Sequence, residues 1–153
     1  MPGPWGMRLI GFGEMLPRAD NRVTLHATRK DRWGLPLVHI DCTHGENEHR
    51  LAESANRDAV RMLVSAGFEN VLPLGEPKPP GHSMYEMGTA RMGRDPATSV
   101  LNGHNQAHDV QNLFITDGSC MTSTGSVNPS LTYMALSARA ANYAADRLAS
   151  GEM

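Results

Sequence analysis

Large rings are scarce in this sequence. Phe, Trp and Tyr together make up 5% of its 153 residues. A core must therefore be assembled from Leu, Val, Ala and the 10 methionines, which pack adaptably and specify shape weakly. Cysteine is almost missing: Cys42 and Cys120 lie far apart and outside any C-x-x-C spacing, which excludes a disulfide framework and a zinc cage. No stretch approaches the roughly 18 consecutive apolar residues of a membrane span. The opening residues Met1-Pro2-Gly3-Pro4-Trp5 carry no basic cluster ahead of an apolar run, so no secretory signal is read and a cytoplasmic location is the default expectation. Neither charge dominates: 14 basic and 16 acidic residues leave a net charge of -2, which gives no footprint for nucleic acid or an anionic membrane. What remains, 40% hydrophobic and 20% charged, is the profile of one compact domain or two small lobes.

The order of segments points to an α+β fold. Val23, Leu25 and Ala27 alternate with polar residues in Arg22–Ala27 after the turn-rich run Pro17–Asn21, which predicts a strand. Pro36–Cys42 reads as a second strand, and its short connection requires antiparallel pairing with the first. From Asn47 to Ala66 the apolar residues Leu51, Ala55, Ala59, Met62, Leu63 and Ala66 recur at three and four, predicting a helix closed by Gly67. Phe68–Leu74 reads as a short strand. The run Glu76-Pro77-Lys78-Pro79-Pro80-Gly81 halts regular structure and marks a boundary between residues 1–80 and 81–153. Beyond it, Asn112–Thr116 predicts a buried strand ending in Asp117-Gly118-Ser119. Asn128 as N-cap and Pro129 at the first helical position then open a terminal helix, with Leu131, Met134, Ala135, Ala138, Ala141, Ala145 and Leu148 on one face.

Several motifs invite chemistry and carry a plainer reading. Gly11-Phe12-Gly13 suggests a nucleotide loop, but Leu16 stands where a third glycine belongs and Glu14 would repel a pyrophosphate; a turn or flexible strand is the simpler reading. His104 and His108 have the spacing of two metal ligands on a helix, without a third ligand nearby; hydrogen-bonded or surface histidines are the alternative. The serine-rich run Ser119–Ser126 contains no G-x-S-x-G elbow. The head of the terminal helix, Asn128-Pro129-Ser130-Leu131-Thr132, follows small polar residues, and its free N–H groups favour a partner bearing negative charge.

Two longer stretches, Gly81–Gly93 (GHSMYEMGTARMG) and Asn112–Ser119 running on to Asn128–Thr132, together resemble the C-terminal region of glucose-methanol-choline (GMC) flavin oxidoreductases, in the pyranose oxidase and gluconate dehydrogenase-like branch. Gly11–Pro17 and Asp31–Pro36 extend the resemblance over nearly the whole chain. It implies a C-terminal fragment: residues 1–80 in the substrate-side sheet with one helix, and 81–153 supplying the catalytic loop, last strand and terminal helix of the FAD-binding domain. FAD is the implied cofactor, with Asp117 and Gly118 near its ribityl or phosphate part and Asn128, Pro129 and Ser130 at the isoalloxazine edge. The implied reaction is oxidation of an alcohol or sugar CH–OH, a base taking the hydroxyl proton while the carbon gives a hydride to the flavin. Asn128 matches the family's histidine or asparagine at the helix head. The family's other histidine position is Tyr85 here. An ordinary phenol has a pKa of about 10 and is scarcely ionised at neutral pH. Three readings stand: Tyr85 working as acid/base or substrate-orienting group, altered chemistry, or His82 substituting. The family's glycine fingerprint for the nucleotide lies in an N-terminal half not present in this sequence. The fragment alone is therefore expected to retain little FAD and no turnover, and a non-enzymatic, split-gene subunit docking on a separate N-terminal half is the alternative.

Overall fold

A computed structural model describes residue 3 and residues 5–82 and 84–153 of the chain. Met1, Pro2 and Pro4 of the opening run and Ser83 of the 81–93 motif lie outside the described residues. The elements follow in the order β1 (Arg22–Lys30), β2 (Pro36–Asp41), α1 (Glu46–Ser65), a 3₁₀ turn at Gly118–Cys120 and α2 (Ser130–Ala149), an α+β arrangement.

β1 and β2 form an antiparallel hairpin with Val23 opposite Ile40 and Leu25 opposite Val38. Its turn is organised by Asp31, whose Oδ1 accepts from the N–H groups of Trp33 and Leu35. The register shifts between Leu25 and Lys30, where His26 Nδ1 accepts the Thr28 and Arg29 N–H groups that the irregular ladder leaves over. Among the described elements these two strands are the only pair in substantial contact.

α1 begins at Gly45, whose N–H donates to Glu48 Oε2 at 2.7 Å, while Glu48 Oε1 accepts from Leu16 N–H at 3.0 Å. Glu48 is buried, and its carboxyl lies below the ordinary glutamate value because it accepts the Leu16 N–H and, next, the Gly45 N–H. From that anchor the N-terminal segment runs back along the helix. Gly13 lies against Leu51, a Cβ on Gly11 would sit 3.2 Å from Ala55 Cβ, and Met7 to Leu9 border Ala59, Val60 and Leu63 across a cavity of about 110 Å³. The two glycines of Gly11-Phe12-Gly13 thus permit close approach of backbone to helix, in a segment that is neither strand nor turn. Gly67, at φ 86°, closes the helix as expected.

Three expectations need correction. Phe68–Leu74 is not a strand; Pro73 cannot donate to a ladder, and the segment instead lines the flank of α1. Asn112–Thr116 opens in a turn and is reduced to a single bridge, Phe114 with Gln106, because its pairing is confined to the 105–107 turn beside it. The helix faces also differ. Met62 stands out in solvent on α1, and α2 packs through Tyr133, Leu136, Ser137, Ala140, Tyr143, Ala144 and Arg147. The apolar stripe expected to be covered on α2 is bare: Leu131 is 79% exposed, Met134 68% and Leu148 65%.

The true core is small. Leu101 and Cys120 are fully buried, with Ala90 and Ala107, and Met92, Ile115, Met121 and Leu136 pack around them. It lies between the 88–121 loops and α2. No helix among the described residues is long and apolar enough to cross a membrane.

Candidate functional site

Local chain chemistry explains how the loops of this core become ordered without a sheet. Asp117 is the N-cap of the 3₁₀ turn, its Oδ1 accepting from Ser119 N–H at 2.9 Å and from Ser119 Oγ–H. The turn's outward carbonyls are then read by the preceding loop: Ala90 N–H donates to Ser119 O at 3.1 Å and Met92 N–H to Cys120 O at 2.8 Å. Gly93 N–H continues this docking onto Leu101 O at 2.7 Å. The Gly88–Gly93 segment is in this way laid edge-on against Gly118–Cys120.

Helix α2 closes the third side. Ser137 Oγ–H donates to Thr116 O at 3.3 Å, and Arg139 reaches Asn105 Oδ1 at 3.2 Å and Met92 Sδ at 3.5 Å. Asn105 is fully buried at φ 64°; its Nδ2 donates to Ile115 O at 2.9 Å, a bond that a short amide side chain can make from the left-handed conformation. Burial pushes the Cys120 thiol up, partly offset by its hydrogen bond with Asn105. Loop and helix converge at Gly118. A Cβ there would lie 2.8 Å from Tyr133 Oη, 3.1 Å from Glu86 O and 3.2 Å from Met87 Sδ, so only glycine fits between the loop and the helix.

The expected site residues fall as follows. Asp117 and Gly118 sit at this convergence. Pro129, not Asn128, is the N-cap of α2, with φ -94° and ψ 8° and no side chain capping the helix. Asn128 therefore does not cap: the helix starts one residue later than expected, after Pro129, and the Asn128 side chain is exposed with its carboxamide uncommitted among the described residues. Pro129 is buried and its carbonyl accepts from Tyr133 N–H, while Ser130 is exposed. No acidic residue stands in the first turn of α2, so its free N–H groups and the positive end of the dipole are unopposed. Tyr85 is 38% exposed with φ 67°, a conformation that costs a non-glycine residue about 1–2 kcal/mol. His82 is exposed in the loop before it.

His104 and His108 have separate engagements. The His104 ring stacks on Tyr143 at 4.0 Å with 9° between planes, and His108 Nε2 meets Ser99 Oγ at 3.0 Å. Among the described residues, no group of three or more His, Cys, Asp or Glu could hold a metal ion. The sequence reading overlooked Tyr133, Asn105 and Arg139. Tyr133 and Arg139 were legible only as helix positions beside the expected apolar stripe, next to Met134 and Ala138, and Asn105 as one asparagine in a polar loop.

The C-terminal model of the GMC oxidoreductase family matches residues 17–137. The chain is 39% identical over 136 residues to a 2-methyl-1,2-propanediol dehydrogenase of Mycolicibacterium austroafricanum, covering 89% of this chain and 24% of that protein. It is 35% identical to a paromamine 6'-oxidase of Streptomyces fradiae, with 88% and 24% covered, and 31% identical to a fructose dehydrogenase large subunit of Gluconobacter japonicus, with 90% and 25% covered. The chain thus spans about a quarter of the length of these relatives, oxidoreductases in a generally FAD-dependent family. The matched span takes in the docked loop, the 3₁₀ turn and the head of α2, and on it the chain belongs to the GMC oxidoreductase family.

Proposed function

We propose that the chain is the substrate- and flavin-facing C-terminal part of an FAD-dependent oxidoreductase that converts a CH–OH group of an alcohol or sugar to a carbonyl. In this reading residues 1–80 belong to the substrate-side sheet and 81–153 complete the FAD-binding domain. The observation that carries it is the convergence at Gly118, which sets the 85–93 loop, the Asp117–Cys120 turn and the first turn of α2 around one point. The names of the relatives, a diol dehydrogenase and a fructose dehydrogenase among them, supply the substrate class.

The residues present fit the cofactor. An uncapped helix end free of acidic side chains suits the electron-rich edge of an isoalloxazine, an interaction of about 0.3–2 kcal/mol. Both hydrogen bonds of Asp117 fall on Oδ1, which leaves Oδ2 to accept from a ribityl hydroxyl. FAD, when bound, supplies the hydride acceptor. Asn128, freed from capping, donates its amide to the substrate oxygen. Tyr85 holds or takes the hydroxyl proton, and its left-handed backbone is the strained geometry that recurs at functional positions.

Isolated, this chain retains little or no FAD and shows no turnover. The bare stripe of α2 and the apolar faces of the hairpin require a complementary polypeptide, whether joined to this one or separately encoded. The test is a hybrid in which the chain replaces the corresponding quarter of the Mycolicibacterium relative. The hybrid should show the yellow flavin band, and Tyr85→Phe should lower kcat by about 10²–10⁴, the usual cost of losing a general base. A flavin-loaded hybrid whose kcat is indifferent to both Tyr85→Phe and Asn128→Ala removes these residues from the reaction.

A further inference from the structure

The loop that carries Tyr85 begins after a proline-rich run and has no regular structure of its own. Something must fix it relative to the turn and the helix head, or Tyr85 and Asn128 would not share a site. Backbone bonds dock Ala90 and Met92 onto the 3₁₀ turn, and residues 84–88 lead into them without helix or strand. Met84 is 60% exposed and makes no such anchor.

One group reaches all three parts. Tyr133 lies one turn into α2, its N–H bonded to Pro129 O at 3.0 Å. Its hydroxyl donates to Met87 Sδ at 3.6 Å. The same oxygen closes over Gly118, 2.8 Å from where a Cβ would stand, with Glu86 O and Met87 Sδ on the other sides of that small space. Burial raises the Tyr133 pKa, with smaller contributions in the same direction from Cys120, Tyr85, Asp117 and Glu86, so the phenol stays protonated and keeps its donor.

We infer that Tyr133 is a positioning residue: its hydroxyl pins Met87, and with it the Tyr85 loop, against Gly118 and the first turn of α2. This rests on the FAD-oxidoreductase reading for its consequence, but not for its test. The clamp has two parts with different substitutions. Tyr133→Phe removes only the O–H and keeps the ring; Tyr133→Leu removes both.

The experiment uses the full chain at low micromolar concentration, with no flavin. Brief treatment with hydrogen peroxide converts accessible thioethers to sulfoxides, the peroxide being reduced to water, and peptide mass spectrometry reads each methionine separately. Hydrogen exchange of the peptides covering 84–88 is followed in parallel. In Tyr133→Phe, Met87 oxidation and 84–88 exchange should each rise by about 3- to 10-fold, as for a locally released segment. Met92, bonded to Arg139 on the far side of the core, and the exposed Met62 should keep their rates. Tyr133→Leu should increase the same two signals further. Unchanged Met87 and 84–88 rates in Tyr133→Phe overturn the inference. So does an equal rise at Met92 and Met121, since that is general loosening of the core. The FAD reading is judged separately by the flavin band of the hybrid, which this experiment does not read.

Discussion

The bare face of α2 makes a quantitative prediction. The chain exposes 11716 Å², whereas a folded monomer of 16.6 kDa should expose about 7,600 Å². The excess of about 4,100 Å² equals roughly five one-sided patches of a standard protein interface, at about 800 Å² each. Leu131, Met134 and Leu148 lie in that excess, all more than three-fifths exposed. Replacing the three by Gln should therefore cost the isolated chain almost nothing, within about 0.5 kcal/mol per site, as for surface positions. Had they been packed, truncation would cost about 2–5 kcal/mol each. The wild-type chain should sediment as oligomers at micromolar concentration and bind a hydrophobic dye; the triple variant should do both less, with unchanged helix content. In the hybrid flavoprotein the order should reverse, because the proposed complementary polypeptide would cover this face, and the triple variant should fail to assemble. A wild-type chain that remains a dye-free monomer, or a triple variant that loses its helices in isolation, refutes the reasoning.

That reversal also explains which parts of the fold were legible in the sequence. The hairpin and both helices are set by local signals: alternation in Arg22–Ala27, a three-four repeat in 47–66, and the Asn128-Pro129 entry. They appear within a residue or a few of where those signals put them. The faces were not legible, because an apolar stripe records what a helix meets in its full setting. α2 is apolar on two sides, and this chain supplies cover for only the side bearing Ala140 and Tyr143. Phe68–Leu74 failed for the converse reason: its apolar residues mimic a strand, yet they flank α1 and have no ladder to join. At the proposed site, motifs single out Asp117, Gly118, Asn128 and Tyr85 as candidates, while the residues that hold that region together are generic types. Nothing about Tyr133 or Asn105 as letters distinguishes a clamp or a buried bridge from an ordinary surface residue; the contact partners lie 46 and 34 positions away.

Further consequences can be measured on the same chain. A maleimide should label the exposed Cys42 under native conditions and the buried Cys120 only after denaturation, since burial both shields the Cys120 thiol and raises its pKa; equal labelling of both would place the core wrongly. Glu48, whose folded pKa is depressed by its Leu16 and Gly45 N–H bonds, contributes stability that is present above the ordinary glutamate range and is lost as pH falls through the folded value. Glu48→Gln should lower stability near neutral pH by about 1–3 kcal/mol and flatten the acid limb below about pH 4.5, as followed by α1 helicity. The buried bridge at Asn105 separates strain from hydrogen bonding. Its side chain joins Ile115 O to Arg139 from a left-handed backbone. Asn105→Ala should forfeit these bonds and the one with Cys120, at about 1–3 kcal/mol for the unsatisfied partners, and also meet a left-handed penalty of about 1–2 kcal/mol. Asn105→Gly meets no such penalty but still forfeits the bonds, and its freer unfolded chain returns about 0.4–1 kcal/mol of the difference. Both variants should therefore be clearly destabilised in urea unfolding at submicromolar concentration, with alanine the worse by about 1 kcal/mol or less. A glycine variant as stable as wild type would mean that the bridge contributes nothing and that the Asp117 cap and the backbone bonds to Ala90 and Met92 hold the 3₁₀ turn without it.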